Sequence, residues 1–400
     1  MSERFIYLDH AATTAVSPAV FEKMAPFFTV EYGNPSSVYS IARNAKRALE
    51  GARETVAGAL GAKPNEVYFT GSGSEADNWA IKGAAAAAAN AAGPHKRRHI
   101  ITSSIEHHAV LDSCKALEKQ GYSVTYLPVD KYGLVAADTL ANSMREDTGL
   151  VSIMAANNEI GTIQPIKQLA AIAKSRGALF HTDAVQAAGA LPLNVSDLGI
   201  DMLTIAAHKL YGPKGVGALY IKAGARVERF IHGGAQERGR RAGTENVAGA
   251  VGLAEALRIA TENMDDNNAK LSALRDKTIS GVLSRIPHAI LNGHPELRLP
   301  NNANFAFRFI EGESMLLMLD IKGVGASSGS ACTSGSLDPS HVLLAIGLQH
   351  ETAHGSLRVT FGVENTEADA DYLIEILPPI VERLRDMSPL YEDYIKSGNK

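Results

Sequence analysis

The chain has 400 residues, 45% of them hydrophobic and 20% charged, with a formal net charge of −4. That is an ordinary globular balance, long enough for two or three domains and without bulk attraction for nucleic acid or an anionic membrane. No apolar run approaches the roughly 18 residues needed to span a bilayer, and the two cysteines, Cys114 and Cys332, are too few for a disulfide framework or a metal cluster within one chain.

Met1–Leu8 lacks the apolar core and small-residue cleavage site of a signal peptide, so a reducing cytoplasm is the expected compartment. Residues at helical spacing predict a helix over Tyr39–Leu60, followed by a short strand over Glu66–Thr70 and an alanine-rich helix over Ser74–Ala92. Further strands are predicted over His99–Ser103, Ser123–Leu127, Leu150–Ala155, Ala178–Asp183, Met202–Ala206 and Gly217–Ile221. Several are continuously apolar, as strands buried on both faces are. Helical patterns at Val110–Gln120, Ala136–Arg145 and Pro165–Arg176 separate most of them. The alternation predicts an α/β fold: a mostly parallel seven-stranded sheet covered by helices on both sides.

From Thr244 to Ser284 the pattern is helical, and beyond it short strands over Asn304–Phe309, Gly325–Ser327 and Leu357–Phe361 lie among helices. This predicts a large domain over residues 14–261 and a smaller α+β domain built from 1–13 and 262–400. The polar tail Met387–Lys400 is expected to be a frayed end rather than a docking site.

In open α/β sheets ligands collect at the carboxyl ends of the strands, and four predicted strand ends carry unusual chemistry. Thr70-Gly71-Ser72-Gly73-Ser74-Glu75 joins a strand to a helix start, suiting either an anion cradle or a serine-capped turn. Glu106-His107-His108 offers imidazoles that can stack on a ring and carry protons, or surface histidines at a helix start. Asp183, in His181-Thr182-Asp183-Ala184-Val185-Gln186, is a deep carboxylate that requires a partner: a pyridinium nitrogen, or the start of the next helix. Lys209 follows the next strand, 26 residues after Asp183. A desolvated lysine there has a lowered pKa and a free amine for Schiff-base formation. Its rival, Lys214, sits among glycines and a proline, as expected of a loop surface.

The segment from Ala326 to Ser336 is small, polar and centred on Cys332. A cysteine in such a loop is expected to be exposed and, as a thiolate, nucleophilic; the bland reading is a linker that happens to contain one. Cys114 lies in a helical stretch and reads as packing.

Asp183 with Gln186, His208-Lys209, Arg-Arg-Ala-Gly-Thr-Glu-Asn at 240–246 and Ser-Ser-Gly-Ser-Ala-Cys-Thr-Ser-Gly-Ser at 327–336 together resemble the cysteine desulfurases of the NifS/IscS type. The resemblance runs from Tyr7-Leu8-Asp9 to the region of Arg358. It implies the fold-type I architecture of pyridoxal-phosphate (PLP) transferases, a homodimer, and conversion of L-cysteine to L-alanine with the sulfur left as a persulfide. By resemblance, Lys209 carries the cofactor and moves the substrate Cα proton, Asp183 pairs with the ring nitrogen, Gln186 contacts the ring hydroxyl, and His107 stacks and transfers protons. Gly73, Ser74 and His208 take the phosphate, with Thr244 from the other subunit. Asn158, beside the cofactor, and Arg358 hold the substrate carboxylate, and Cys332 attacks the sulfur. No metal site is implied beyond Cys332 as a ligand of a transiently held iron–sulfur cluster. Ala206 stands where relatives often have serine, so one phosphate hydroxyl is expected to be missing; Ser74 stands for a common threonine and keeps the hydroxyl.

The expected partners are L-cysteine and an iron–sulfur scaffold or other sulfur-acceptor protein, with nitrogenase maturation or tRNA thiolation as possible destinations and no direct nucleic-acid contact. A selenocysteine lyase is the nearest alternative. An aminotransferase has no need of the cysteine loop, and a non-catalytic sulfur carrier has no need of the cofactor constellation.

Overall fold

The computed structural model describes residues 5–90, 96–328 and 339–397. Its strands are β1 (Ile6–Tyr7), β2 (Val67–Thr70), β3 (His99–Ser103), β4 (Ser123–Leu127), β5 (Thr148–Ser152), β6 (Leu179–Asp183), β7 (Met202–Ala206), β8 (Gly217–Ile221), β9 (Ala289–Asn292), β10 (Asn302–Phe307), β11 (Val324–Gly325) and β12 (Ser356–Thr360). Seven form one sheet in the order β2-β8-β7-β6-β5-β3-β4, parallel except for β8, which is antiparallel to both neighbours. The expected α/β architecture is therefore present.

The side-chain alternation of the strands explains why the sheet is covered on both faces. Ile101, Val151, Leu203 and Tyr220 point into one core, with the helices Ser40–Leu60, Ile166–Ser175 and Val247–Glu262. Their neighbours Ile100, Leu150, Met202 and Leu219 point into another, with the helix Gly73–Ala89 and its fully buried Trp79. The helix Ser40–Leu60 stops at Gly61, whose φ of 63° is the left-handed cap that glycine adopts cheaply.

A further core gathers Leu8, Phe305, Phe307, Phe361 and Leu373 from the antiparallel sheet β12-β10-β9, the β1–β11 pair and the helices Met264–Arg285 and Glu367–Asp386. β9 had no sequence counterpart: Ala289–Asn292 is four residues long and only partly buried, too short to print a period. The tail corrects a second expectation. Pro389–Lys396 is a helix, and Tyr394 meets Phe309 with ring centroids 4.7 Å apart. Tyr391 and Tyr394 are half-buried against Phe309 while the rest of the helix stays exposed, contacts that composition alone did not reveal. Among the described residues no helix is long and apolar enough to cross a membrane.

Candidate active site

Because the strands run parallel, their carboxyl ends meet at one edge. Asp183 ends β6, Ala206 ends β7, and His107, Asn158 and Lys209 follow β3, β5 and β7 within a few residues. The helix Gly73–Ala89 starts at the same edge. A Cβ on Gly73 would stand 2.9 Å from Val185 Cγ2 and 3.3 Å from Ala206 Cβ, so only glycine lets this helix start close against both strand ends. The Ser72 hydroxyl accepts the Glu75 N–H at 3.0 Å, and the positive end of the helix dipole lies at this edge. The capped turn expected of the glycine segment is present. Ser74 is exposed.

Asp183 is 6% exposed. Burial pushes its carboxyl up, while the charges of His107 and Lys209 and the N–H of Val185, 2.9 Å from Oδ1, pull it down. Asp183 therefore caps the following turn and also faces the Lys209 amine and the His107 imidazole. His107 accepts the Ala109 N–H on Nδ1 at 3.1 Å, which leaves Nε2 as the protonated nitrogen of a neutral ring; burial lowers its pKa. Lys209 Nζ donates to the carbonyls of Ala11 and Ala12, both at 2.6 Å, and Gln186 Nε2 donates to Ala11 at 3.0 Å. His208 Nδ1 lies 3.1 Å from Thr13 Oγ1, and burial lowers its pKa to about 4. Lys214 is exposed, as a loop-surface lysine should be.

Arg358 is buried on β12. It donates to Asp9 Oδ1 at 2.7 Å and to the Asn158 carbonyl at 3.2 Å, and its Nε has no hydrogen-bond partner among the described residues. A buried guanidinium with a spare donor suits a carboxylate ligand. Thr244 is exposed, and no hydrogen bond from it is found among the described residues. Its neighbour Arg241 is bound to Glu75, Nε to Oε1 at 2.8 Å, which ties the 240–246 segment to the glycine loop. Cys332 lies outside the described residues. Cys114 is buried, its thiol pushed up to about 12.

Beneath these groups lies a polar layer that the sequence reading passed over. Glu106 is fully buried, its carboxyl raised to about 8 despite hydrogen bonds from Ser103 Oγ and the Met154 N–H. Asp77 is raised well above the usual carboxylate range by burial and by Asp183, and stands 3.6 Å from His181 Nε2. His181, lowered to about 3, bridges Ser152 and Thr204 as a neutral ring. A place between Ala76 and Asn78 in the alanine-rich helix was the one sequence signal for Asp77. Asp9 carried none beyond its place at the start of the resemblance.

The donor set fits pyridoxal phosphate. It combines a helix start at which only Gly73 fits, a buried carboxylate, an amine at the strand edge, and a neutral imidazole.

Known proteins agree. The aminotransferase class-V family matches residues 6–373. A protein named cysteine desulfurase IscS from Clostridium botulinum is 56% identical over 98% of both chains, and one of the same name from Methanosarcina thermophila is 56% identical over 96% of this chain and 94% of its own. A solved NifS-like protein superposes with a TM-score of 0.88 at 39% identity, covering 95% of this chain and all of its own. The chain belongs to the aminotransferase class-V family and, within it, to the pyridoxal-phosphate-dependent cysteine desulfurases of fold-type I.

Proposed function

We propose that this enzyme takes sulfur from L-cysteine, releasing L-alanine and leaving a persulfide on Cys332. The observation that carries the reading is the meeting of Lys209, Asp183 and His107 beside the start of the helix Gly73–Ala89. When bound, pyridoxal phosphate supplies an electron sink that makes the Cα proton of an amino acid removable.

The chain's residues do the rest. Gly73, Ser74 and His208 hold the phosphate, and Thr244 reaches it from a second copy. Asp183 keeps the ring nitrogen protonated, Gln186 contacts the ring hydroxyl and Asn158 lies beside it. His107 covers the ring face and relays protons. Arg358, with Asn158, orients the substrate carboxylate. Lys209 holds the cofactor and moves the proton at Cα. Cys332 then takes the sulfur: the substrate C–S bond breaks, an S–S bond forms, and a proton replaces sulfur at Cβ. Cysteine plus thiol give alanine plus persulfide, with no oxidant or reductant needed.

The enzyme acts as a cytoplasmic homodimer of two domains, 14–261 and 1–13 with 262–400. A run of exposed hydrophobics between residues 21 and 39 (Phe21, Phe28, Val30, Tyr32, Val38 and Tyr39) supports the dimer. The persulfide passes to an iron–sulfur scaffold or another acceptor protein, nitrogenase maturation being one such route. The IscS name of the relatives is in keeping with cluster assembly.

The test is incubation of the holoenzyme with L-cysteine and dithiothreitol, with alanine and sulfide measured together and selenocysteine run alongside. Equal yields of alanine and sulfide from cysteine are expected. Turnover of selenocysteine alone would overturn the reading.

A further inference from the structure

Ser327 and Ser340 bracket the segment that carries Cys332, five residues before it and eight after it. Ser327 is joined to Arg358 through the backbone in both directions, Arg358 N–H to Ser327 at 2.6 Å and Ser327 N–H to Arg358 at 3.2 Å. Ser340 is buried and starts the helix His341–Ala345, its oxygen accepting the N–H groups of Val342 and Leu343 at 3.1 and 3.4 Å. Its hydroxyl proton goes elsewhere, to the carboxylate of Glu159.

Glu159 is 3% exposed, and burial raises its carboxyl to about 7 against the pull of the Ser340 hydroxyl and the Arg358 charge. Its backbone is fixed independently. Its N–H donates to Asn157 Oδ1 at 2.9 Å, and its carbonyl accepts from Asn302 and Asn304 at 3.2 and 3.0 Å. The turn therefore does not depend on this side chain, and a serine caps a helix without a carboxylate behind it. Burying a carboxyl here costs free energy that neither task explains. What the contact adds is a fixed position for residue 340 relative to Asn158, whose carbonyl holds Arg358.

We propose that Glu159 and Ser340 are positioning residues for the sulfur-transfer step. They tie residue 340 to the same Asn158–Arg358 frame that holds Ser327, so that the two described residues flanking the cysteine segment share one reference with the guanidinium. The proposal rests on the desulfurase reading. An anchor of this kind acts on the attack by Cys332 and not on substrate binding, and small misplacements of a reacting group are costly in rate.

The test is single-turnover formation of the Cys332 persulfide by holoenzyme, read by mass spectrometry, with KM for L-cysteine and the visible cofactor absorbance followed in parallel. Ser340→Ala is expected to slow persulfide formation by about tenfold or more with KM and absorbance unchanged. Ser340→Thr, which keeps the hydroxyl, restores most of the rate. Adding Glu159→Gln to Ser340→Ala produces no further loss, because the two act as one unit. A wild-type rate in Ser340→Ala, a threonine no better than alanine, additive losses, or a rise in KM in step with the lost rate would each overturn the anchor. A wild-type enzyme that makes no alanine from cysteine overturns the desulfurase reading and the anchor together, whereas an active wild type with unaffected variants overturns the anchor alone.

Discussion

Lys209 and Gln186 converge on one backbone oxygen: the ammonium and the amide both donate to the Ala11 carbonyl, at 2.6 and 3.0 Å. The N-terminal segment is thereby drawn over the strand edge, where β1 and the bridge from Asp9 to Thr360 hold it from the other side. Ala11 and Ala12 thus belong to the site although they lie almost 200 positions from the lysine they contact.

Replacing Lys209 with alanine is expected to lower alanine formation by at least about 100-fold, the lower range of what a positioned general base supplies. Lys214→Ala, at an exposed position, keeps wild-type rates. Steady-state alanine production by the two variants checks this, and the reverse ranking would move the catalytic amine to Lys214.

The cysteines separate by environment. Burial holds the Cys114 thiol protonated up to about pH 12, so iodoacetamide at neutral pH should leave it untouched in the native protein. Cys114→Ser retains sulfide release, and Cys332→Ala retains the yellow cofactor colour and loses sulfide release. Full sulfide production by the Cys332 variant would remove that residue from the reaction.

Arg53 and Glu237 form a pair with side-chain exposures of 3% and 2%, joined at 2.7 and 2.8 Å, and Glu237 also accepts the Phe69 N–H. Glu237 and Arg238 adopt left-handed φ values of 45° and 58° just before the 240–246 segment. Breaking one side of such a pair leaves a bare buried charge, so Arg53→Ala should cost about 3–5 kcal/mol. Urea denaturation measures it, and a loss below about 1 kcal/mol, the scale of an exposed pair, would contradict the burial argument.

Stability should decline as pH rises from 6.5 to 8. Burial raises Glu106 from 4.5 to about 8 and Glu159 to about 7, so each contributes fully below about 4.5 and loses that contribution as pH passes its folded value. The buried histidines have the opposite sign. His181, His99 and His208 are lowered from 6.5 to between about 3 and 4, so their contribution is complete above 6.5 and disappears only in acid. Between 6.5 and 8 the acids therefore set the slope. Glu106→Gln should flatten it by up to one proton, about 1.4 kcal/mol per pH unit. Unfolding free energies across that window decide, and identical slopes for the variant and the wild type would show that Glu106 ionises normally.

The sequence by itself determined the sheet and the edge that matters. Largely apolar runs such as Leu150–Ala155 and Met202–Ala206 specify strands buried on both faces, and the local order strand–turn–helix at Thr70–Glu75 specifies a helix start. Asp183, His107 and Lys209 were legible because each ends a strand or follows one within a few residues, so topology alone brings them together.

Tertiary structure decided what depends on distant partners. Asp77, Glu106 and Glu159 look like ordinary surface acids in the chain, and only the packing over them raises their pKa values. The tail helix Pro389–Lys396 is held by Phe309, some 80 residues away, and Arg358 takes its orientation from Asp9 at the opposite end of the chain. Local pattern encodes period and turn chemistry, whereas desolvation and long-range pairing exist only once the chain has closed on itself.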